Sequence, residues 1–218
     1  MIKKSLMGAT VAAAMLLAGA ASASTIVNGG FVGPNAPNGG FQTVGAGSGA
    51  ITGWTVDTGN VDWIQGYWQS ADGDGFSVDL NGSTPGSISQ TIDTVIGQAY
   101  HLTFDMSANP DHGSDVRLIL ANTGGAVTTF TYDLSVPPNS RDNMNWIAQS
   151  LDFVATGATT TITFASGNGG ANCCYGAAID NVAIANGVPE PTTWALMLTG
   201  FLGMGATLRR RRFATIKA

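Results

Sequence analysis

Tyr100-His101-Leu102-Thr103-Phe104-Asp105-Met106 alternates apolar and polar residues without a break. A period of two places Tyr100, Leu102, Phe104 and Met106 on one face of an extended strand, with His101, Thr103 and Asp105 on the other. The same pattern recurs on both sides. Gly75 to Leu80 and Ser87 to Ile92 come before it. Val116 to Leu120, Val127 to Leu134, Trp146 to Val154, Thr159 to Ala165 and Ala177 to Ile184 come after. Turn residues separate the runs: Asn81-Gly82, Pro85-Gly86, Ile96-Gly97, Thr123-Gly124-Gly125, Thr156-Gly157 and Gly167-Asn168-Gly169-Gly170. Helix formers at helical spacing are hard to find in the same region. Eight or so short strands at this spacing predict an all-β chain folded as a β-sandwich, in a jelly-roll arrangement. The loop-rich stretch from Gly29 to Gly53 reads as an extended lead-in crossing the surface. No internal repeat is evident.

Both ends differ from this body. Lys3 and Lys4 precede an apolar run from Leu6 to Ala20, and Ala21-Ser22-Ala23 forms a small-residue cleavage site with a mature start near Ser24. At the other end, Val188-Pro189-Glu190-Pro191 is followed by an apolar stretch from Trp194 to Leu208 and by Arg209-Arg210-Arg211-Arg212. At ~1.5 Å per residue that stretch makes a helix of ~22 Å, short of the ~30 Å hydrocarbon core of a bilayer. Gly200, Gly203 and Gly205 weaken the helix further. It suits transient insertion, with the arginines on the cytoplasmic side and the body outside. The expected layout is a signal helix over 1–23, a body over 24–187, and a sorting segment over 188–218 that contains a hydrophobic transmembrane helix.

The order of Pro-Glu-Pro, apolar segment and basic cluster resembles the PEP-CTERM tail of Gram-negative bacterial surface proteins. The resemblance covers only this end. It implies a tail read and cut by an exosortase-type membrane transpeptidase, with delivery to the cell surface or to an extracellular biofilm matrix. The residues alone also fit a C-terminal anchor that is never processed.

Without its ends, the chain is strongly acidic. Only Arg117 and Arg141 remain of the nine Lys and Arg, and thirteen Asp remain with no Glu, a net charge near −11. Nucleic-acid binding needs a basic face to neutralise phosphates, so that class is excluded. An Asp-only surface suits divalent cations, which take hard oxygen ligands. It equally suits turn capping and solubility in a secreted protein.

An ordered set of motifs runs through the body: Val27-Asn28-Gly29-Gly30-Phe31, Ile51-Thr52-Gly53-Trp54, Gly59-Asn60-Val61-Asp62-Trp63-Ile64, Phe76-Ser77-Val78-Asp79-Leu80-Asn81-Gly82, Pro85-Gly86-Ser87-Ile88-Ser89-Gln90, Asn143-Met144-Asn145-Trp146 and Ala178-Ile179-Asp180-Asn181-Val182. The set resembles the choice-of-anchor C family of bacterial extracellular domains, across essentially the whole body. That family is similar to a plant cell-wall protein family and to galactose-binding-like jelly rolls. The resemblance implies a non-catalytic domain that touches polysaccharide. Many jelly-roll sugar-binding modules tie their first and last strands with calcium, and here Asn28 and Asp180 would be the ligands. Relatives commonly carry Glu after the opening Phe, whereas this chain has Val32, so the N-terminal carboxylate is missing.

The residues themselves supply further candidates. Trp63, Tyr67 and Trp68 cluster beside Gln65 and Gln69, and flat rings flanked by amides suit the C–H face and hydroxyls of a sugar. The other reading packs Trp63 and Trp68 between the sheets. Trp54 and Trp146 read as core. Asp72-Gly73-Asp74-Gly75, with Asp79 nearby, reads as a hairpin turn or as a weak calcium loop. Catalysis has little support: the body has no Glu, no motif singles out an Asp pair, and His101 and His112 lack metal-ligand spacing. Adjacent Cys173 and Cys174 in an exported chain fit a vicinal bridge, an intermolecular link or two thiols. The expected function is non-catalytic binding or scaffolding of extracellular polysaccharide. The rivals are a self-associating matrix protein and, more remotely, a secreted glycan hydrolase.

Overall fold

The computed structural model describes residues 24–34, 40–111, 116–135, 138–168, 174–187 and 197–204. Eleven strands form the body: β1 (Gly40–Gly45), β2 (Thr55–Thr58), β3 (Asn60–Gln65), β4 (Phe76–Asp79), β5 (Ser87–Asp93), β6 (Ala99–Ala108), β7 (Val116–Asn122), β8 (Thr128–Asp133), β9 (Ile147–Val154), β10 (Thr159–Ser166) and β11 (Ala177–Asn186). They make two antiparallel sheets. The six-stranded sheet runs β1-β3-β4-β11-β6-β9, and the five-stranded sheet runs β2-β5-β10-β7-β8. The expected all-β sandwich is the observed architecture.

Strand alternation builds the core. Tyr100, Leu102, Phe104 and Met106 of β6 are all buried, while His101, Thr103 and Asp105 are only partly covered. Val61 and Trp63 of β3, Phe76 and Val78 of β4, and Ile179 of β11 join them from the same sheet. Ile88 and Ile92 of β5, Ile119 and Ala121 of β7, and Ile162 and Phe164 of β10 close the layer from the other. Phe104 meets Phe130 and Phe164 edge-on, at centroid separations of 5.0 Å each. A fully buried apolar side chain of this size stabilises the fold by about 1.5–3 kcal/mol.

The stretch from Gly29 to Gly53 is more than a surface lead-in. Gly40–Gly45 is the edge strand of the six-stranded sheet, paired with β3 over Gly40↔Gln65 to Gly45↔Asn60. Phe31, Ile51 and Trp54 are core residues. Glycine-rich composition hid these elements, because glycine has weak strand preference and no side chain to show periodicity.

The opening segment fastens the two sheets together. The Gln90 side chain accepts a hydrogen bond from Val27 N (2.7 Å) and donates to Val27 O and Gly53 O (2.9 and 2.8 Å). Ser24 Oγ donates to Asp93 O at the end of β5. On the other sheet, Val182 N donates to Gly29 O (3.0 Å). A Cβ on Gly29 would fall 1.8 Å from Val182 O, so only glycine permits this approach. Thus the first and last sequence motifs are neighbours in space, beside the bulge that interrupts β11 between Asp180 and Ala183.

Residues 197–204 are a short, exposed helix. Among the described residues, no helix is long and apolar enough to cross a membrane. The rest of the apolar tail lies outside the described residues. So do Pro189, Glu190, Pro191, Arg209, Arg210, Arg211, Arg212, the signal segment with Ala21 and Ala23, and His112.

Candidate functional site

The residues that alternate with the core form the outer face of the six-stranded sheet. Thr43 on β1 lies opposite Asp62 on β3, and Asp62 lies opposite Asp79 on β4. Asp79 in turn lies opposite Ala178 on β11. The chain after β3 folds back over this face. Trp68, 3% exposed, joins Ile64, Met144 and Ala178 in a small second core, with Tyr67 and Trp146 packed on it. Polar contacts pin this cover down. Trp68 Nε1 donates to Ser77 Oγ (2.9 Å), Trp146 Nε1 donates to Gln69 O (2.9 Å), and Met144 N donates to Gln69 Oε1 (3.1 Å).

Between this cover and the β1 edge lies a cleft of about 270 Å³. Its aromatic walls are Phe41, Tyr67, Trp68 and Tyr175, and its polar groups come from Thr43, Asp62, Ser83, Asn109 and Asp111. Phe41, 45% exposed, meets Tyr67 edge-on at 5.1 Å. Arg141 lies over the Tyr67 ring with Cζ 4.1 Å from its centroid. Its guanidinium grips Asp111 with both arms, Nε to Oδ1 at 2.8 Å and a terminal nitrogen to Oδ2 at 2.7 Å. The Tyr67 hydroxyl donates to the same carboxylate at 2.7 Å. Hydrogen bonds from Arg141 hold Asp111 below the usual carboxylate range, and burial together with Asp111 pushes the Tyr67 hydroxyl up. The aromatic wall is therefore held in one orientation before any ligand arrives.

Behind the cleft, Asp79 is fully buried and accepts from Asn81 N (2.9 Å), Asn109 Nδ2 (2.9 Å) and Gly176 N (3.3 Å). Burial pushes it up to about 7, against those three donors, with neighbouring Asp62 adding to the rise. A Cβ on Gly176 would fall 2.1 Å from Asp79 Oδ1, so the carboxylate fills the space glycine leaves. Asn109 also donates to Cys174 O (3.2 Å), which joins the cleft wall to this buried network. Cys174 is disulfide-bonded. Cys173, the only other cysteine in the chain, lies outside the described residues.

The three aromatics expected to meet sugar separate here. Trp63 is 1% exposed in the inter-sheet core, and its Nε1 donates to Phe31 O at 2.7 Å. It has no face to offer a ligand, because its position on β3 alternates inward. Tyr67 and Trp68 do line the cleft. Trp146, expected in the core, packs on the second, smaller one. Sequence reasoning missed Phe41, Asp62, Asp111, Arg141 and Tyr175. Two signals were available: Asp62 sits between inward Val61 and Trp63, and Arg141 is one of only two cations in the body.

Asn28 and Asp180 each have hydrogen-bond partners within the protein. The Asn28 side-chain amide donates to Thr52 O (3.0 Å), and the Asn28 backbone carbonyl accepts from Trp54 Nε1 (2.9 Å). Asp180 is buried and accepts from Ala71 N (2.9 Å) and Asn181 N (2.7 Å). Burial pushes Asp180 up to about 7, and Asp72 and Asp74 raise it further. Both of those carboxylates also face Gly30. Asp79 belongs to the cleft network, not to this turn. Among the described residues, no three His, Cys, Asp or Glu side chains are gathered to hold a metal ion.

A shallower hollow of about 400 Å³ lies on β6 and β9, between His101, Thr103, Asp105, Gln149, Ser150 and Asn181. His101 Nδ1 pairs with Asp152 at 2.5 Å at its rim. Phe104, which also lines it, is 2% exposed and belongs to the core.

Comparisons with known proteins bear on the whole body. Halomucin of Haloquadratum walsbyi is 34% identical over 147 residues, which is 66% of this chain; the chain spans about 2% of halomucin's length. Among solved structures, a family 35 carbohydrate binding module from Clostridium thermocellum has a TM-score of 0.39 at 10% identity, covering 66% of this chain and 97% of that one. The CBM35 from Paenibacillus barcinonensis has a TM-score of 0.41 at 14% identity, covering 66% and 98%. The family model described as "Protein of unknown function (DUF642)" matches residues 24–185, and the chain belongs to that family.

Proposed function

We propose that this chain is an exported, non-catalytic module that binds extracellular polysaccharide in the cleft of its six-stranded sheet. The cleft itself carries the reading. Phe41, Tyr67 and Tyr175 provide ring surface for the C–H face of a sugar, and Thr43, Asp62, Ser83 and Asn109 provide partners for hydroxyls. An apolar hollow with a few placed polar groups is what a sugar ring needs. Of the acidic groups at the cleft, Asp79 has no exposed surface and Asp111 is held by Arg141 through two hydrogen bonds.

In this reading the body reaches the surface of a Gram-negative cell, or its biofilm matrix, through its tail. The Pro189-Glu190-Pro191 motif and the arginines would be read by an exosortase-type transpeptidase during transient inner-membrane insertion. Replacing Pro189 and Pro191 by Ala is expected to trap the full-length form in the inner membrane, and normal surface delivery would sink this part. A structural calcium belongs to the reading too, with Asn28 and Asp180 among its ligands. It would supply positive charge to a buried carboxylate.

The test is saturable binding of the full chain to the producer's own extracellular polysaccharide, with calcium and with chelator. Loss of binding in chelator supports the calcium. Absence of binding in both, with oligomers that grow with concentration, favours a self-associating matrix protein.

A further inference from the structure

Asp62 is 8% exposed, yet it lines the cleft. Its Oδ1 accepts from Thr43 Oγ1 at 2.6 Å. No hydrogen bond reaches its other oxygen among the described residues. Burial raises its pKa, and the Thr43 hydrogen bond opposes that rise. The cation nearest the cleft, Arg141, is matched by Asp111 through two hydrogen bonds. Asp79 stands directly across from Asp62 on the next strand, but burial pushes it up to about 7, so at about pH 6.5 it is mostly protonated and does not take the place of Asp62 as the charged group. The cleft thus combines a half-satisfied carboxylate with the rings of Phe41, Tyr67 and Tyr175. Those two features together recognise an ammonium group. The carboxylate takes a charge-assisted hydrogen bond, and ring faces attract the cation.

Resting on the polysaccharide-binding reading, we propose that the cleft selects glycans containing a free amino sugar, whose protonated amine bonds Asp62. The ring of such a sugar stacks on the aromatic wall, and its hydroxyls meet Thr43, Ser83 and Asn109. An N-acetylated residue brings no charge to Asp62. A uronate is repelled by Asp62 and by the strongly acidic body.

The experiment titrates the full chain with three oligosaccharides: a β-linked glucosamine oligomer, its N-acetylated counterpart and a uronic-acid oligomer. The buffer is low in salt, at about pH 6.5. The expected result is binding of the glucosamine oligomer about tenfold tighter than its N-acetylated counterpart. Added salt should erode that preference, because it screens the charge pair. Asp62→Asn should cut the preference below about twofold. The salt series on the unaltered chain gives an independent reading if that variant does not fold. Equal binding of the first two sugars overturns the amine selectivity and leaves the polysaccharide reading standing. Tightest binding of the uronate overturns it in the same way. No binding of any oligomer overturns both.

Discussion

Trp63 and Trp68 lie close in sequence and end on opposite sides of one sheet. Trp63 fills the inter-sheet core with its indole nitrogen satisfied by Phe31 O. Trp68 covers the outer face, pinned by Ser77, and its edge reaches the cleft. The inner face is continuous and apolar. The outer face is half covered by a small second core and half polar. This division teaches that the sandwich needs only one face of the six-stranded sheet for stability, which leaves the other free to hold a ligand site.

The largest effect should fall on the inner face. Trp63→Ala is expected to cost about 3–5 kcal/mol of stability, by cavity formation and by orphaning the Phe31 carbonyl. Urea denaturation checks it. Tyr67→Ala should cost less than about 1 kcal/mol, because the ring is only partly covered. It should nevertheless weaken polysaccharide binding roughly tenfold, as expected for an aromatic anchor. Equal stability losses for the two variants would break the contrast between a structural face and a binding face.

A pH series sharpens the same comparison, since the raised carboxylates all sit on the outer side. Asp79 and Asp180 are pushed to about 7 by burial, and Asp62 is raised as well. Between the unfolded value of about 3.9 and those folded values, the native state binds more protons than the unfolded state. Stability therefore falls as pH rises through that window, the reverse of ordinary acid denaturation. Asp111 works oppositely: its pKa is lowered, so its contribution is lost as pH falls below the normal carboxylate range. The urea midpoint should be higher at about pH 5 than at about pH 8. A midpoint that rises instead would mean that the three donors to Asp79 outweigh its burial. Calcium at Asp180 should flatten the fall, because a bound cation favours the ionised carboxylate.

The inner face was legible in the sequence and the outer face mostly was not. Alternation in Tyr100–Met106 and its neighbours is a one-dimensional record of burial, so all eight strands drawn from it exist. Strands β1, β2 and β3 are short, Gly-flanked or wholly buried, so alternation is faint or absent there. The cleft is harder still. Phe41, Asp62, Asp111, Arg141 and Tyr175 come from five separate segments, and only the sheet order and the fold-back after β3 bring them together. Tyr67 and Trp68 were readable because they are adjacent in the chain. Trp63 misled because an aromatic cluster in sequence does not record which side of a strand each ring takes.

The smallest effect should come from the open half of the outer face. His101 and Asp152 pair across β6 and β9, with side chains 43% and 81% exposed. Water competes for both partners and salt screens the pair, so it contributes about 0–1 kcal/mol even when His101 is protonated. His101→Ala should therefore leave the urea midpoint nearly unchanged. It should also leave polysaccharide binding unchanged, because the Phe104 ring in the adjoining hollow is buried and the hollow lacks the Phe41 and Tyr67 wall of the cleft. A clear loss of binding in this variant would extend the binding face from the cleft across β11 to β9. The ligand would then be a chain of several sugars lying along the sheet, and the second core would form a ridge beneath it.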